Sequence, residues 1–149
     1  LLCFMNVKQI TPEDTYPIRL QMLRPGGEIE DCHFKGDHDD LSFHLGAFIE
    51  NKLASVASFY FENHPQIDSP YQYRLRGMAT LPEYQKKGLS SALLETAFPL
   101  IKQNQGKLLW CNAREKAIGF YEKVGFQQMG DIFDIVDIGP HQLMFIRIN

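Results

Sequence analysis

The stretch from Tyr71 to Gly125 constrains the fold more than any other part of the chain. It reads as strand, glycine-bearing loop, helix, strand and helix in direct succession, the order of an α/β layer in which helices cover a sheet. Tyr71 to Leu81 is rich in Tyr, Leu and Met and runs into Pro82. Leu89 to Gln103 then places Leu89, Ala92, Leu93, Ala97, Leu100 and Ile101 on one helical face. Pro99 removes one backbone hydrogen bond from that helix and crowds the carbonyl of Glu95, which predicts a kink or a break there. Gly106 reads as a C-cap, and Lys107 to Cys111 as a short apolar strand. Asn112, with Glu115 three residues on, has the pattern of an N-cap. Ala117, Phe120, Tyr121 and Val124 form the buried stripe of the helix that follows, and Gly125 ends it.

The flanks add strands and helices on either side. Met5 to Ile10 is an opening strand, and Thr11-Pro12-Glu13-Asp14 a helix start that leads into Tyr16 to Leu23. Arg24-Pro25-Gly26-Gly27 breaks that helix, and Glu28 to Asp40 is polar enough for a surface loop. Phe43 to Ile49 and Leu53 to Phe61 are the arms of a hairpin turning at Glu50-Asn51-Lys52, before a second loop at Asn63 to Pro70. Phe126 to Ile148 alternates as two antiparallel strands, with Gly139-Pro140 as the expected turn. No repeat or Pro/Gly/Ser-rich linker divides these elements, and 149 residues at 44% hydrophobic suffice for one core. One domain over residues 5–149 is expected. Leu1 to Phe4, ahead of the first methionine, read as an upstream extension or a cloning remnant.

Several classes of function are disfavoured. A net charge of −3 argues against a dedicated nucleic-acid surface. There is neither an 18-residue apolar run nor a secretory leader, so no membrane partner and a cytoplasmic location are expected. Cys3, Cys32 and Cys111 are odd in number and far apart, which suits reduced thiols. His33, His38 and His44 lie among Asp37, Asp39 and Asp40, but the spacing matches no zinc pattern. A solvated acidic loop is the reading taken, and no metal is expected.

The loop Gln85-Lys86-Lys87-Gly88-Leu89-Ser90 has a chemistry of its own. A helix start presents unpaired N–H groups and the positive end of the helix dipole. Gly88 lets the main chain approach an anion, Lys86 and Lys87 add charge, and Ser90 and Ser91 offer hydroxyls. A nucleotide P-loop is disfavoured because Gly88-Leu89-Ser90 lacks the Gly-Lys-Ser/Thr ending.

Two longer motifs surround this loop. Thr80 to Leu93, TLPEYQKKGLSSAL, resembles the cofactor motif of the GNAT superfamily of N-acetyltransferases, in which a strand ending in a hydrophobic residue and Pro precedes Arg or Gln, two variable residues, Gly, one residue, and Gly or Ala. Asn112 to Phe126, NAREKAIGFYEKVGF, is similar to that family's second signature, an Asn, an Ala, then Phe-Tyr-Glu-Lys before Gly-Phe. Ser90 departs from the usual Gly or Ala but is small and can donate a hydrogen bond. The resemblance is strong from Met78 to Phe126 and looser over the rest of Met5 to Ile148. It implies the acyl-CoA N-acyltransferase fold: a single α/β (α+β) domain with a mixed, mostly antiparallel central sheet and helices on both faces.

The resemblance also implies roles. Met78, Ala79 and Thr80 match the strand segment that pairs with the pantetheine arm of acetyl-CoA, and Gln85, Lys86, Lys87, Gly88, Leu89, Ser90 and Ser91 match the pyrophosphate loop. Asn112 matches a side chain that contacts the cofactor arm, and Phe120 and Lys123 are placed to flank pantetheine or adenine. Tyr121 matches the general acid that protonates the leaving thiolate. The implied function is acetyl transfer from acetyl-CoA to a primary amine of a small molecule or peptide. The alternative is a regulatory module of the same fold that binds acyl-CoA without transferring it. Glu62, Asp134, Asp137 and His141 are candidates for the base that accepts the amine's proton. Arg24, Arg74 and Arg76 are candidates for holding an acidic group on the acceptor. Cys111 is read as a buried strand-end thiol and not as an acyl carrier. Edge strands of such a domain offer a route to a homodimer.

Overall fold

A computed structural model of the chain describes residues 4–149. The expected extension at Leu1 to Phe4 lies outside the described residues except for Phe4, which is exposed. Seven strands form one hydrogen-bonded order, β1-β2-β3-β4-β5-β7-β6: β1 is Met5–Ile10, β2 Phe43–Ile49, β3 Lys52–Phe61, β4 Gln72–Thr80, β5 Leu108–Arg114, β6 Gln127–Ile135 and β7 Gly139–Arg147. Only β4 and β5 run parallel among the registered pairs, so the sheet is mixed and mostly antiparallel, as expected. The α-helices are α1 (Pro12–Leu23), α2 (Leu89–Gln103) and α3 (Ile118–Val124). By packing, the residues up to Tyr60 group with Leu75–Leu100, and Phe61–Arg74 group with Ile101–Asn149.

In the first of these units the hairpin turn is made by Glu50 and Asn51, both at positive φ (48° and 69°), the geometry that matches the twist of the flanking strands. Thr11 caps α1: its hydroxyl accepts from the Asp14 amide, and the Asp14 carboxylate accepts from the Thr11 amide, each at 3.1 Å. Ile18, Val56, Ala79 and Leu81 pack together, with Ile10, Met22, Leu23, Leu53 and Tyr84 around them. This cluster fixes the end of β4 against α1 and β3. α2 is continuous across Pro99, contrary to a break. Glu95 and Pro99 are both exposed, so water can take the carbonyl that the proline leaves unpaired.

The loop at residues 28–40 is not the solvated segment expected. Ile29–Cys32 forms a 3-10 turn, and Cys32, Phe34 and Asp37 are buried. The reason is Arg19, itself fully buried on α1. Its guanidinium donates to both Asp37 carboxylate oxygens (2.8 and 3.1 Å), to the Cys32 carbonyl (2.7 Å), to Ser58 Oγ (2.8 Å) and to Tyr60 Oη (3.2 Å). Tyr60 donates to Asp37 at 2.6 Å, and His44 bridges Ser58 and the Asp37 carbonyl. A buried charge persists only when paired and hydrogen-bonded, and this one is both.

In the second unit β4 enters parallel to β5 through Gln72 to Arg74 opposite Leu108 to Trp110. The Gln72 side chain ties down the neighbouring loop, donating to the carbonyls of Ile67 (2.9 Å) and Ser69 (2.7 Å) and accepting from the His64 amide (2.8 Å). Ile67, Leu108, Trp110 and Leu143 form a core with Met129 and Phe145 against it. β5 runs to Arg114, pairing with β7 as far as His141, so Asn112 is a strand residue opposite Leu143 and not a helix cap. A 3-10 turn at Glu115–Ala117 makes the entry to α3 instead. Gly125 closes α3 at φ 117°, its N–H bonded to the carbonyls of Tyr121 and Glu122. The β6–β7 turn is Val136 to Ile138, with Asp137 at φ 67°, and Gly139-Pro140 already opens β7.

Candidate active site

The glycine loop is built from the end of β4. Ser55 on β3 donates to the Ala79 carbonyl (3.1 Å), and its hydroxyl lies 2.7 Å from that of Thr80. The Leu81 N–H reaches the Ala54 carbonyl at 2.9 Å. A 3-10 turn at Pro82–Tyr84 follows, and Gln85 folds back to donate to the Thr80 carbonyl at 3.1 Å. Gln85 is therefore a brace of the loop. Lys86 (φ 61°) and Gly88 (φ 84°) are both left-handed, a backbone form that turns successive N–H groups toward one concavity. A side chain at Gly88 would meet no atom within 4 Å. The first backbone bond of α2 runs from the Ala92 N–H to the Gly88 carbonyl at 3.1 Å, which leaves the amides of Leu89, Ser90 and Ser91 without an intrahelical acceptor. Lys86, Lys87 and Gly88 are exposed, Ser90 and Ser91 half-buried, and Leu89 is buried and anchors the helix start. The result is a positively charged cradle of backbone donors open to an anion. Ahead of it, Ala79 is buried, and Met78 and Thr80 are half-buried.

In the other unit, β5 and α3 present Asn112, Phe120, Tyr121 and Lys123. Asn112 is half-buried, and its Oδ1 is buried without a hydrogen-bond partner. A buried acceptor of that kind costs free energy unless something donates to it. Tyr121 is buried, with its ring edge-on to Phe126 and to Phe120, centroids 5.1 Å apart in each case. Its hydroxyl neighbours Cys111. Burial first, then the neighbouring Cys111, holds the phenol well above its usual pKa, so it stays protonated throughout the neutral range. Burial likewise pushes the Cys111 thiol up to about 12, consistent with an unreactive strand thiol. Phe120 is half-buried and Lys123 exposed.

The candidate bases are dispersed. Glu62 pairs with Arg74 at 3.2 Å, and His141 is buried, with Nδ1 2.8 Å from the Gly139 carbonyl. Asp134 and Asp137 are exposed near the β6–β7 turn. The three arginines lie over two different rings. Arg74 lies over the Trp110 ring (4.8 Å), whereas Arg24 and Arg76 both lie over Phe34. His33, His38 and His44 are engaged one by one: His33 stacks on Tyr16, His38 pairs with Glu13 and His44 joins the Arg19 network. That network was not legible locally, since Arg19 and Asp37 lie eighteen residues apart with no motif between them.

Comparison with known proteins sharpens this arrangement. The acetyltransferase (GNAT) family model matches residues 8–126. The uncharacterized N-acetyltransferase YitI of Bacillus subtilis (strain 168) is 43% identical over 141 residues, covering 95% of each chain. Among solved structures, the ribosomal-protein-S18-alanine N-acetyltransferase of Escherichia coli superposes with a TM-score of 0.74 at 20% identity, covering 97% of this chain and 94% of that one. An aminoglycoside 6'-N-acetyltransferase complexed with coenzyme A superposes with a TM-score of 0.75 at 12% identity, covering 97% of both. The chain therefore belongs to the GNAT acetyltransferase family and is an acetyl-CoA-dependent acyltransferase.

Proposed function

We propose that the chain transfers the acetyl group of acetyl-CoA directly to a primary amine of a small molecule or peptide. The observation that carries this reading is the cradle at Lys86 to Ser91: two left-handed residues, three helix-start amides without intrahelical partners, and open space at Gly88. Those donors suit the pyrophosphate of CoA. Met78 to Thr80 lie beyond the three residues through which β4 is registered with β5, which suits pairing of their backbone with the pantetheine arm. The unpartnered Asn112 Oδ1 suits a pantetheine amide N–H. Phe120 and Lys123 are assigned to the flanks of the cofactor.

In the transfer step the neutral amine nitrogen attacks the thioester carbonyl carbon, and the proton that the new ammonium centre must shed passes to water. Collapse of the tetrahedral intermediate breaks the C–S bond, and the electron pair leaves on sulfur. Tyr121 is the group we assign to protonate that thiolate, after which solvent restores the phenol. A phenol raised above its reference value near 10 is a reluctant donor to a thiolate of conjugate acid near 8.5. Loss of water around the thiolate raises its basicity by the same desolvation that acts on Tyr121, and this narrows the gap.

The test is acetyl-CoA binding and CoA release with a broad amine panel. Gly88→Glu puts a carboxylate into the cradle and is expected to weaken acetyl-CoA binding by about tenfold or more. Unaltered affinity would overturn the loop assignment. Tyr121→Phe is expected to lower turnover on the order of 10²-fold or more while cofactor affinity holds, as for loss of a general acid. Unchanged turnover removes Tyr121 from that role. Tight cofactor binding with no transfer to any amine favours a regulatory acyl-CoA-binding module.

A further inference from the structure

Three guanidinium groups surround a single ring in the first unit. Arg19, Arg76 and Arg24 have their guanidinium carbons 4.0, 4.4 and 5.5 Å from the centroid of Phe34, which is itself buried. They come from α1, from β4 and from the residue that ends α1, so three separate backbone positions converge there. Like charges gathered on one ring repel each other, and the attraction of a ring face for each cation is worth only about 0.5–2 kcal/mol. The Asp37 carboxylate is committed to Arg19 through both its oxygens. Among the described residues the Arg24 guanidinium has no carboxylate partner, and its hydrogen bond goes to the Leu23 carbonyl at 3.0 Å.

A second observation bears on the same place. Two buried polar atoms here, Arg19 Nε and the Tyr16 hydroxyl, have no hydrogen-bond partner, and Tyr16 is only 7% exposed. The guanidinium of Arg19 also lies 5.8 Å from the Tyr16 ring centroid. Gly77, at φ 64°, keeps the neighbouring backbone bare: a side chain there would sit 3.0 Å from Phe34 Cε2 and 3.6 Å from Arg19 Nε. Only glycine combines that conformation with that closeness. Gly77 and Arg76 directly precede Met78, where the proposed cofactor segment of β4 begins.

We infer that Arg24 and Arg76, arrayed on Phe34, form an acceptor subsite for an anionic group, so that the amine accepted by this enzyme also bears a carboxylate or a phosphate. Guanidinium groups hold both oxyanions through paired N–H donors, and the flat ring beneath fixes their orientation. The subsite deepens the acetyltransfer reading and rests on it for the identity of the ligand as acceptor.

The experiment separates the two. Binding to the wild-type protein with CoA present is measured by calorimetry for three matched sets: amino acids against their amides, amino-sugar phosphates against the unphosphorylated amino sugars, and polyamines. Turnover with acetyl-CoA is measured on the same compounds. The subsite requires an anionic amine to bind about tenfold or more tighter than its neutral counterpart. That preference should collapse in Arg76→Gln and in Arg24→Gln, return in part with Arg76→Lys, and leave acetyl-CoA affinity unchanged. Preference for the amino-acid set assigns a carboxylate, and preference for the phosphate set a phosphate. Equal binding of acid and neutral partner, tighter binding of polyamines, or no binding of any anionic amine overturns the inference. Anion-selective binding that the arginine variants abolish, with no turnover of any compound, upholds the subsite and defeats the transfer reading instead.

Discussion

Replacing Asp37 by Asn tests the network under α1, because the substitution keeps the shape and removes the charge. Burial opposes ionisation of Asp37, but hydrogen bonds from Arg19, Tyr60 and the Phe34 amide outweigh it and hold the carboxyl at about 2, against an ordinary 3.8. At about 1.4 kcal/mol for each pKa unit, that difference is worth about 2 kcal/mol of folding stability in the ionised state. Because the folded value is the lower one, this stability is complete above the unfolded carboxyl's value. It is lost as pH falls through the folded value, so the window runs from about 4 down to about 2. In Asp37→Asn the buried guanidinium loses its counter-charge at every pH, and the expected cost near neutrality is about 3–5 kcal/mol. Urea unfolding of both proteins at a series of pH values from 7 to 2.5 measures it. The gap between them should be constant down to about pH 4 and then narrow by about 1 kcal/mol or more by pH 2.5. A gap that does not change with pH would show that Asp37 is not held ionised by this network, and a gap under about 1 kcal/mol would deny the network its structural weight.

Other consequences can be checked alongside. Gly106→Ala should cost about 1–3 kcal/mol in chemical denaturation, since its methyl would lie 2.4 Å from Ile101 Cγ2 and 2.9 Å from Tyr73 Cδ1; a neutral result would mean that this turn yields readily. Cys32 and Cys111, buried and with thiols raised above their usual range, should resist alkylation in the native protein at pH 8 and label only on unfolding, as mapped by mass spectrometry. Pro99→Ala returns an N–H to the Glu95 carbonyl within a continuous helix, and the midpoint of thermal unfolding should rise slightly; a fall would show that the proline's restriction of the unfolded chain dominates.

Local chemistry carried much of the fold. The bounds of β1 and of α2 follow from alternation and from helical spacing, and the Glu50-Asn51 turn from its residues. Two of the failures share a cause: for Asn112 and Asp37 the competing partner lay far off in sequence. Asn112 has a capping pattern with Glu115, but seven residues of pairing with β7 keep β5 extended through it. Gly139-Pro140 looks like a turn, yet Asp137 adopts the left-handed conformation and the chain reverses earlier. Asp37 sits among exposed acids and is buried because Arg19 requires it. Around the candidate site, the start of α2 directly after Gly88 follows from the glycine-bearing loop, whereas the strand setting of Asn112 does not. The convergence of Arg24 and Arg76 on Phe34 was not legible, because no spacing along the chain encodes a shared ring.

The last strand of the sheet order has a bearing on how the protein behaves in concentrated solution. β6 is nine residues long, mostly exposed, and carries Ile132 and Phe133 outward, features that invite a second chain to add its own strand. Its ladder with β7 is interrupted between Met129 and Phe133, with Gly130 at φ 74°, and Asp131 and Asp134 set like charges along the interruption. A neighbouring copy would have to match a bent template and bring acid against acid. The irregularity in β6 thus disfavours the regular edge-to-edge pairing that its exposed apolar side chains would otherwise invite.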